Sequence, residues 1–376
     1  MVSWPLGLIG RLKQRQALSI GFNMYIVFLA VSLCLSVTSV VNASPGAVTA
    51  LAFSPDGSRL AVGAYGQVVL YDTTTWAVAG TFRQVEDSVR ALAFQPDGQV
   101  LAIGSGLPAQ SGRVTLWDIS GTKSPTTLPT QQDTVEAICF RSDGKALLVG
   151  ANDNKARFYA ELPAQTNSVL DEHNGRVQAV AFSPKPDTIF ITGAMDKVVK
   201  VWDAKQKKTV INFDQSQAGI TGLVFLPGGN QFVGSSLDGK LQWWQVNYND
   251  RTRSYNGNRF RQIDVHPGGV LSLAISGDGK RIVTGGQDNV VSVRDSSSGR
   301  EIRSFKDSMK PVYAVTLNLD GKLAAGAGME GVVRIWDVEK NELLQTLTLP
   351  PLPVSPRLAS PAVKPIAATA KSKHRR

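Results

Sequence analysis

VTALAFSPDGSRLAVGA occupies residues 48–64, and VRALAFQPDGQVLAIGS follows it at residues 89–105. The phrase returns five more times: VEAICFRSDG from Val135, VQAVAFSPKPD from Val177, ITGLVFLPGG from Ile220, VLSLAISGDG from Val270 and VYAVTLNLDG from Val312. Successive starts lie 41, 46, 42, 43, 50 and 42 residues apart. Self-similarity at that period marks a repeat architecture. Each phrase is a short apolar run followed by a turn rich in Pro, Asp and Gly, where Asp bonds nearby backbone and Gly accepts positive φ.

The rest of each unit keeps one order. A second apolar run such as RLAVGA ends on small residues. After another tight turn comes a third, such as VVLYD, VTLWD or VVRIWD, and a less regular fourth run closes the unit. Four short strands per unit make one antiparallel sheet. A single such sheet cannot bury both faces, so neighbouring units must stack.

Three units end the third strand on Trp-Asp: Trp117-Asp118, Trp202-Asp203 and Trp336-Asp337. The others vary it as Tyr71-Asp72, Tyr159-Ala160, Trp244-Gln245 and Arg294-Asp295. With the period, this resembles the WD-repeat family of β-propellers. The resemblance runs from Val48 to about Leu349. It implies an all-β fold: a seven-bladed β-propeller of four-stranded antiparallel blades, a closed monomeric ring around a channel. The first unit begins with its innermost strand and the last ends with its outermost, ELLQTLTL at 342–349. The ring is therefore expected to close by face packing alone. The alternative is that VTSVVNA, at 37–43, pairs with the last blade.

The family also carries a buried polar relay, and the resemblance places one complete set at His173, Thr192, Asp196 and Trp202. A partial set stands at His266, Thr284 and Asp288, with Arg294 in the Trp position. Asp153 and Asp238 hold the turn position alone. A His, an Asp and a hydroxyl invite a hydrolase reading. The relay is read instead as structural, each hydrogen bond worth about 0.5–1.5 kcal/mol. The hydroxyls fall in mid-strand, and these two His are the only ones in the propeller stretch. Zinc needs three or four convergent ligands, which the Cys and His count cannot supply. No enzyme activity, metal or cofactor is expected.

The chain carries 40 Lys and Arg against 30 Asp and Glu. Residues 1–43 hold Arg11, Lys13 and Arg15 and no acid, and residues 350–376 hold six bases and no acid. Subtracting those nine leaves 31 bases against 30 acids for residues 44–349. The body lacks the basic excess of a nucleic-acid binder. RLKQR at 11–15, an apolar run at 24–41 and VNA-S around Ala43 read as an export signal, or as a retained membrane anchor. Either places the propeller outside the cytoplasm. The tail from 350 is Pro-rich, Ala-rich and basic. It is expected to be disordered and to contact membrane or cell-envelope polymer. Cys139, in VEAICF, reads as a small buried apolar residue.

The resemblance implies protein partners, bound on the flat faces and at the channel mouth. On the face carrying the second-to-third-strand turns, the candidates are Arg90, Glu136, Arg176, Gln178 and Tyr313, with Met195 and Met329 before the turn acid. Tyr, Arg and Met are enriched at interface cores. The longest such turn is SGLPAQSGR, at 105–113. The largest insertion, 247–261, should project from the opposite rim. It carries Arg251, Arg253, Tyr255, Arg259 and Phe260, either a docking element for an acidic peptide or sugar polymer or simple hairpin elongation. The reading is a non-catalytic interaction platform for as yet unidentified protein partners. The rival is a propeller that binds envelope carbohydrate, and an enzyme comes last.

Overall fold

The computed structural model describes residues 46–352, apart from 86, 130, 164–165, 186–188 and 309. Its 28 strands form seven four-stranded antiparallel sheets, each made of four consecutive strands. Among the described residues there is no helix. Blade 1 shows the pattern: Val48–Phe53, Arg59–Ala64, Gln67–Asp72 and Val78–Phe82, ordered from the axis outward. The molecule is a seven-bladed β-propeller.

The turns follow from the repeat phrase. In blade 1, Asp56 accepts from the Ser58 N–H at 3.0 Å, and Gly57 takes a φ of +74°. The aspartate of Trp-Asp works at the other end of the same rim. Asp72, Asp203 and Asp337 each accept two backbone N–H groups of the turn into the outermost strand. This explains one of the deviations. Where Gln245 replaces Asp, no turn follows, because the third strand runs on to Asn249. Blade 3, with Ala160 in the Asp place, has a short outermost strand, Ser168–Leu170, but so does blade 2, where Asp118 is kept and the strand is Thr126–Thr127.

Seven apolar clusters fill the seven interfaces between successive blades. The small residues ending each second strand leave room for the next blade. A Cβ on Gly193 would lie 2.5 Å from Ile220, and one on Gly63 would lie 2.6 Å from Val89. Blade 7 meets blade 1 as the others meet. Val48, Val62 and Tyr71 pack with Ala325, Ile335 and Leu347, and the Tyr71 hydroxyl donates to the Thr348 carbonyl at 3.1 Å. Among the described residues the seventh sheet holds its own four strands. The alternative pairing of 37–43 lies outside the described residues, as do the export segment and the tail from 353.

One expectation changes, and the 247–261 insertion is an elongated hairpin, as one of its two readings had it. The stretch 105–113 is less a loop than a lengthened hairpin, with strands Val100–Leu107 and Ser111–Asp118 paired up to Leu107 and Ser111. In blade 5, Lys240–Asn249 and Ser254–Asp264 stay paired along the whole insertion.

Candidate functional site

The register of the innermost strands creates the site. In every blade the first residue of that strand pairs with the second strand, the second residue is skipped, and pairing resumes at the third. Val48 pairs with Ala64 and Ala50 with Gly63, so Thr49 is the extra residue. The same bulge occurs at Arg90, Glu136, Gln178, Thr221, Leu271 and Tyr313. A bulge re-aims the side chain it carries. All seven line the mouth of a central channel of about 730 Å³. We call this ring of bulge residues the collar and its side of the molecule the collar face. Below it run the innermost strands, whose Leu92, Ile138, Val180, Leu223, Leu273 and Val315 side chains pack into the interfaces between blades.

The collar is not uniform. Thr49 donates to the Val89 carbonyl of the next blade, and Thr221 donates to the Val270 carbonyl at 2.8 Å. These two threonines tie neighbouring blades. Glu136 accepts from the Asn152 amide at 2.8 Å, and Asn152 in turn accepts from Gln178 at 2.9 Å. Burial pushes the Glu136 carboxyl up, against the pull of Arg90, the Asn152 hydrogen bond and Arg176. Arg90 and Arg176 are exposed. Leu271 and Tyr313 give the far side an apolar character, and Tyr313 is exposed. Met195 and Met329 stand exposed on the same face.

Sequence reasoning found four of the seven collar residues and missed Thr49, Thr221 and Leu271. Each is the second residue of its repeat phrase, a position that carries no mark of the bulge in the sequence itself.

The relay in blade 4 is one directed chain. Trp202 Nε1 donates to Thr192 Oγ1 at 2.9 Å, Thr192 lies 2.7 Å from His173 Nε2, and His173 Nδ1 lies 2.8 Å from Asp196. The ring thus bridges the Thr192 hydroxyl and the Asp196 carboxylate. Burial raises the Asp196 pKa, but the His173 hydrogen bond and the Asn174 N–H more than offset it, and the carboxyl sits below its usual value. In blade 6, His266 Nδ1 lies 2.9 Å from Asp288 and Nε2 lies 2.7 Å from Thr284. Arg294 turns away to Glu301 at 2.6 Å, leaving its Nε buried without a partner. Thr192 and Thr284 are both 0% exposed.

The other turn acids are not alone. In blade 3, Arg157 forms a two-point ion pair with Asp153 at 2.5 and 3.1 Å, and Gln131 donates to the Tyr159 hydroxyl at 3.2 Å. In blade 5, Ser236 donates to Asp238 at 2.5 Å, and buried Gln242 donates to Ser216 at 3.0 Å. Gly234 stands there in the place of Thr192, and the Trp244 N–H is buried without a partner. Cys139 packs against the blade 3–4 core, and burial pushes its thiol up. Among the described residues, no three His, Cys, Asp or Glu side chains converge as a metal site would require.

The blade 5 hairpin divides its candidates. Arg259 points inward, donating to Gln242 at 2.6 Å and to the Gln215 carbonyl at 3.0 Å. It is structural rather than free for a partner. Tyr255 is half-buried, its ring 4.8 Å from that of Tyr248. Arg251, Arg253 and Phe260 remain exposed.

A family model described as "WD domain, G-beta repeat" matches residues 35–72, 77–118, 164–203, 207–245, 257–295 and 299–337. The gap falls on the first three strands of blade 3, where Gln131, Arg157 and Tyr159 replace the usual relay. The chain is 25% identical over 210 residues to "Protein tipD" of Dictyostelium discoideum, covering 53% of this chain and 32% of that protein. It is 26% identical to "Mitochondrial division protein 1" of Candida glabrata, covering 50% of this chain and 30% of the relative. It is 23% identical to "Guanine nucleotide-binding protein subunit beta" of Oryza sativa subsp. japonica, covering 48% and 49%. The chain thus spans about a third to half the length of these relatives.

Proposed function

The chain belongs to the WD domain, G-beta repeat family, and on that premise we propose that it is a non-catalytic platform whose protein partners dock at the collar. Propellers of this family generally serve as interaction scaffolds, and one relative is by its name a subunit of a larger assembly. One observation carries the choice of surface. The bulge recurs seven times on the same backbone, yet it presents Thr, Arg, Glu, Gln, Thr, Leu and Tyr. A position kept for folding alone would call for one residue type in every blade. Six different chemistries on a rigid repeated frame suit recognition of one asymmetric partner.

Photo-crosslinking in the native cell tests this. A benzoylphenylalanine replacing Tyr313 should capture a discrete protein, and one replacing Thr75 on the opposite rim should not. The reverse pattern rejects the collar.

A second reading rests on the hairpin. The open Tyr248–Tyr255 pair, with Arg251 and Arg253 at the tip, could stack on sugar rings. Retention on cell-wall material that vanishes when residues 247–261 are shortened would favour it. Retention unchanged by that deletion would dismiss it.

For location, we propose export or anchoring through residues 1–43. Both ends of the described chain lie on the collar face. Val48 pairs beside the Tyr65–Gly66 turn, and Gln67 holds the Pro350 carbonyl at 2.9 Å. Mass measurement of the mature N-terminus decides between cleavage and anchoring. Resistance of the propeller to protease added to intact cells, with the protein found in the cytosol, rejects both.

A further inference from the structure

We propose that the Pro-rich segment at residues 353–361 of this same chain lies across the blade 7 side of the collar, on Tyr313 and Met329, and has to leave before a partner docks there. This rests on the platform reading and adds its regulation. Three observations support it.

The first is where the described chain leads. In blades 1, 4 and 6 the third strand pairs with the outermost one through Val68 and Phe82, Val199 and Phe213, and Val291 and Phe305. From each phenylalanine the chain takes seven residues to reach the next innermost strand, at Val89, Ile220 and Val312. In blade 7 Leu347 holds that place, paired with Val333. The same count from Leu347 ends at residue 354, but Val48 already begins the innermost strand of blade 1. The last described residues follow the inward course. Tyr71 of blade 1 donates to the Thr348 carbonyl at 3.1 Å, and Gln67 donates to the Pro350 carbonyl at 2.9 Å. Leu352 packs on the next turn, where a Cβ on Gly66 would lie 3.2 Å from it. The chain beyond Leu352 therefore starts on the collar face, already seated on blade 1.

The second is the surface it meets. Tyr65, Tyr313, Met329 and Leu352 are all exposed. Tyr65 and Met329 hold the same place in neighbouring blades, directly after the second strand. The Met329 N–H donates to the Pro311 carbonyl at 3.3 Å, which sets Met329 beside the start of the strand that carries Tyr313. Single exposed apolar residues are ordinary, but a group of them marks a contact surface.

The third is the chemistry of the segment. Residues 350–361 read PPLPVSPRLASP, with five prolines and no acid. Pro350, Pro353 and Pro356 recur every third residue, which sets them on one edge of a polyproline II helix. Such an edge docks on exposed aromatic rings, at little cost in ordering. Pro350 is the first member of that edge, and the Gln67 bond already fixes it. At about 3.1 Å per residue, 353–361 would run about 28 Å. Packed sheets stand about 10 Å apart, so the segment is long enough to pass from blade 1 onto blade 7.

The test uses purified full-length protein with benzoylphenylalanine replacing Met329, irradiated, digested and read by mass spectrometry. The expected product is a crosslink within one chain, from position 329 to residues 353–361. The same probe at Met195, on the same face in blade 4, should give no more than about a tenth of that yield, as a held segment is concentrated at one place. Tyr313→Ala, or Pro353→Gly together with Pro356→Gly, should cut the Met329 yield about fivefold. Arg375→Ala with Arg376→Ala should leave it unchanged. In the cell, the two proline substitutions should raise capture of a partner through Tyr313 about threefold, because apparent affinity scales with the fraction of open collar. Equal tail crosslinking from Met195 and Met329 overturns the proposal. So do yields indifferent to Tyr313 and the prolines, crosslinks that join two chains, and partner capture that the prolines do not alter. If the Tyr313 probe still captures a protein in those cases, the platform reading stands and only the regulation by this segment falls.

Discussion

Blades 4 and 6 carry the same His, Thr and Asp and differ at one position, Trp202 against Arg294. In blade 4 the indole N–H feeds the threonine, and the His173 ring bridges the threonine and Asp196. In blade 6 nothing feeds Thr284. Its hydroxyl has a second, longer contact, 3.4 Å to the Ser292 carbonyl, while Arg294 keeps a buried unpartnered Nε. The difference teaches that the tryptophan of the repeat is more than an apolar plug. It sets the direction of the relay, and the relay in turn fixes the turn acid that shapes the collar face. An unmade buried hydrogen bond costs about 1–3 kcal/mol, so the loss of one donor matters to a blade.

The largest effect expected is from His173→Ala. It strips Thr192 and Asp196 of their shared partner and should lower unfolding free energy by about 2–4 kcal/mol. His266→Ala should cost less, about 1–3 kcal/mol, because its relay is already one member short. Urea unfolding of both variants checks the order, and equal or reversed losses break the comparison. Next is Arg294→Trp, which restores the donor to Thr284 and removes the orphaned Nε. It should raise stability by about 1 kcal/mol; a loss would show that Arg294 and Glu301 are worth more together than the relay.

A pH series sharpens the contrast further. Burial is the main cause that depresses the His266 pKa below 6.5, with Arg294 acting the same way against the pull of Asp288. A group whose folded pKa is depressed stabilises the fold above its unfolded pKa. That contribution is lost as pH falls from about 6.5 through the folded value. Wild type should lose stability in that window, and His266→Gln should lose less. Identical pH profiles would mean that His266 does not titrate on unfolding. The smallest effect belongs to the hairpin tip: Arg251→Ala and Arg253→Ala should each shift stability by less than about 0.5 kcal/mol, in contrast to Arg259→Ala, which leaves buried Gln242 without its donor.

Much of this was legible because it is local chemistry. Pro-Asp-Gly runs announce the inner turns, and Trp-Asp announces the outer ones, since Asp caps the turn that follows. Two things were hidden. The bulge at the second residue of each phrase leaves no mark in an apolar run such as VTALAF, so Thr49, Thr221 and Leu271 read as ordinary strand residues. In blade 5 a bulge at Phe260 breaks the alternation of the hairpin, since Trp244 pairs with Arg259 and Trp243 with Arg261. Counting alternate residues therefore puts Arg259 outward when it is turned in. Blade 3 escaped family recognition for a related reason. Its turn acid is held by Arg157 from the third strand, which replaces the function of the histidine without resembling it.

Hydrogen–deuterium exchange of the full-length protein, alone and with the partner captured through Tyr313, tests the collar most directly. Slowed exchange should fall on the starts of the seven innermost strands, residues 48–50, 89–91, 135–137 and their counterparts, and on the adjoining turns. Protection confined to the Asp56–Ser58 and Asp72–Thr75 rim, or to the outermost strands, would contradict it.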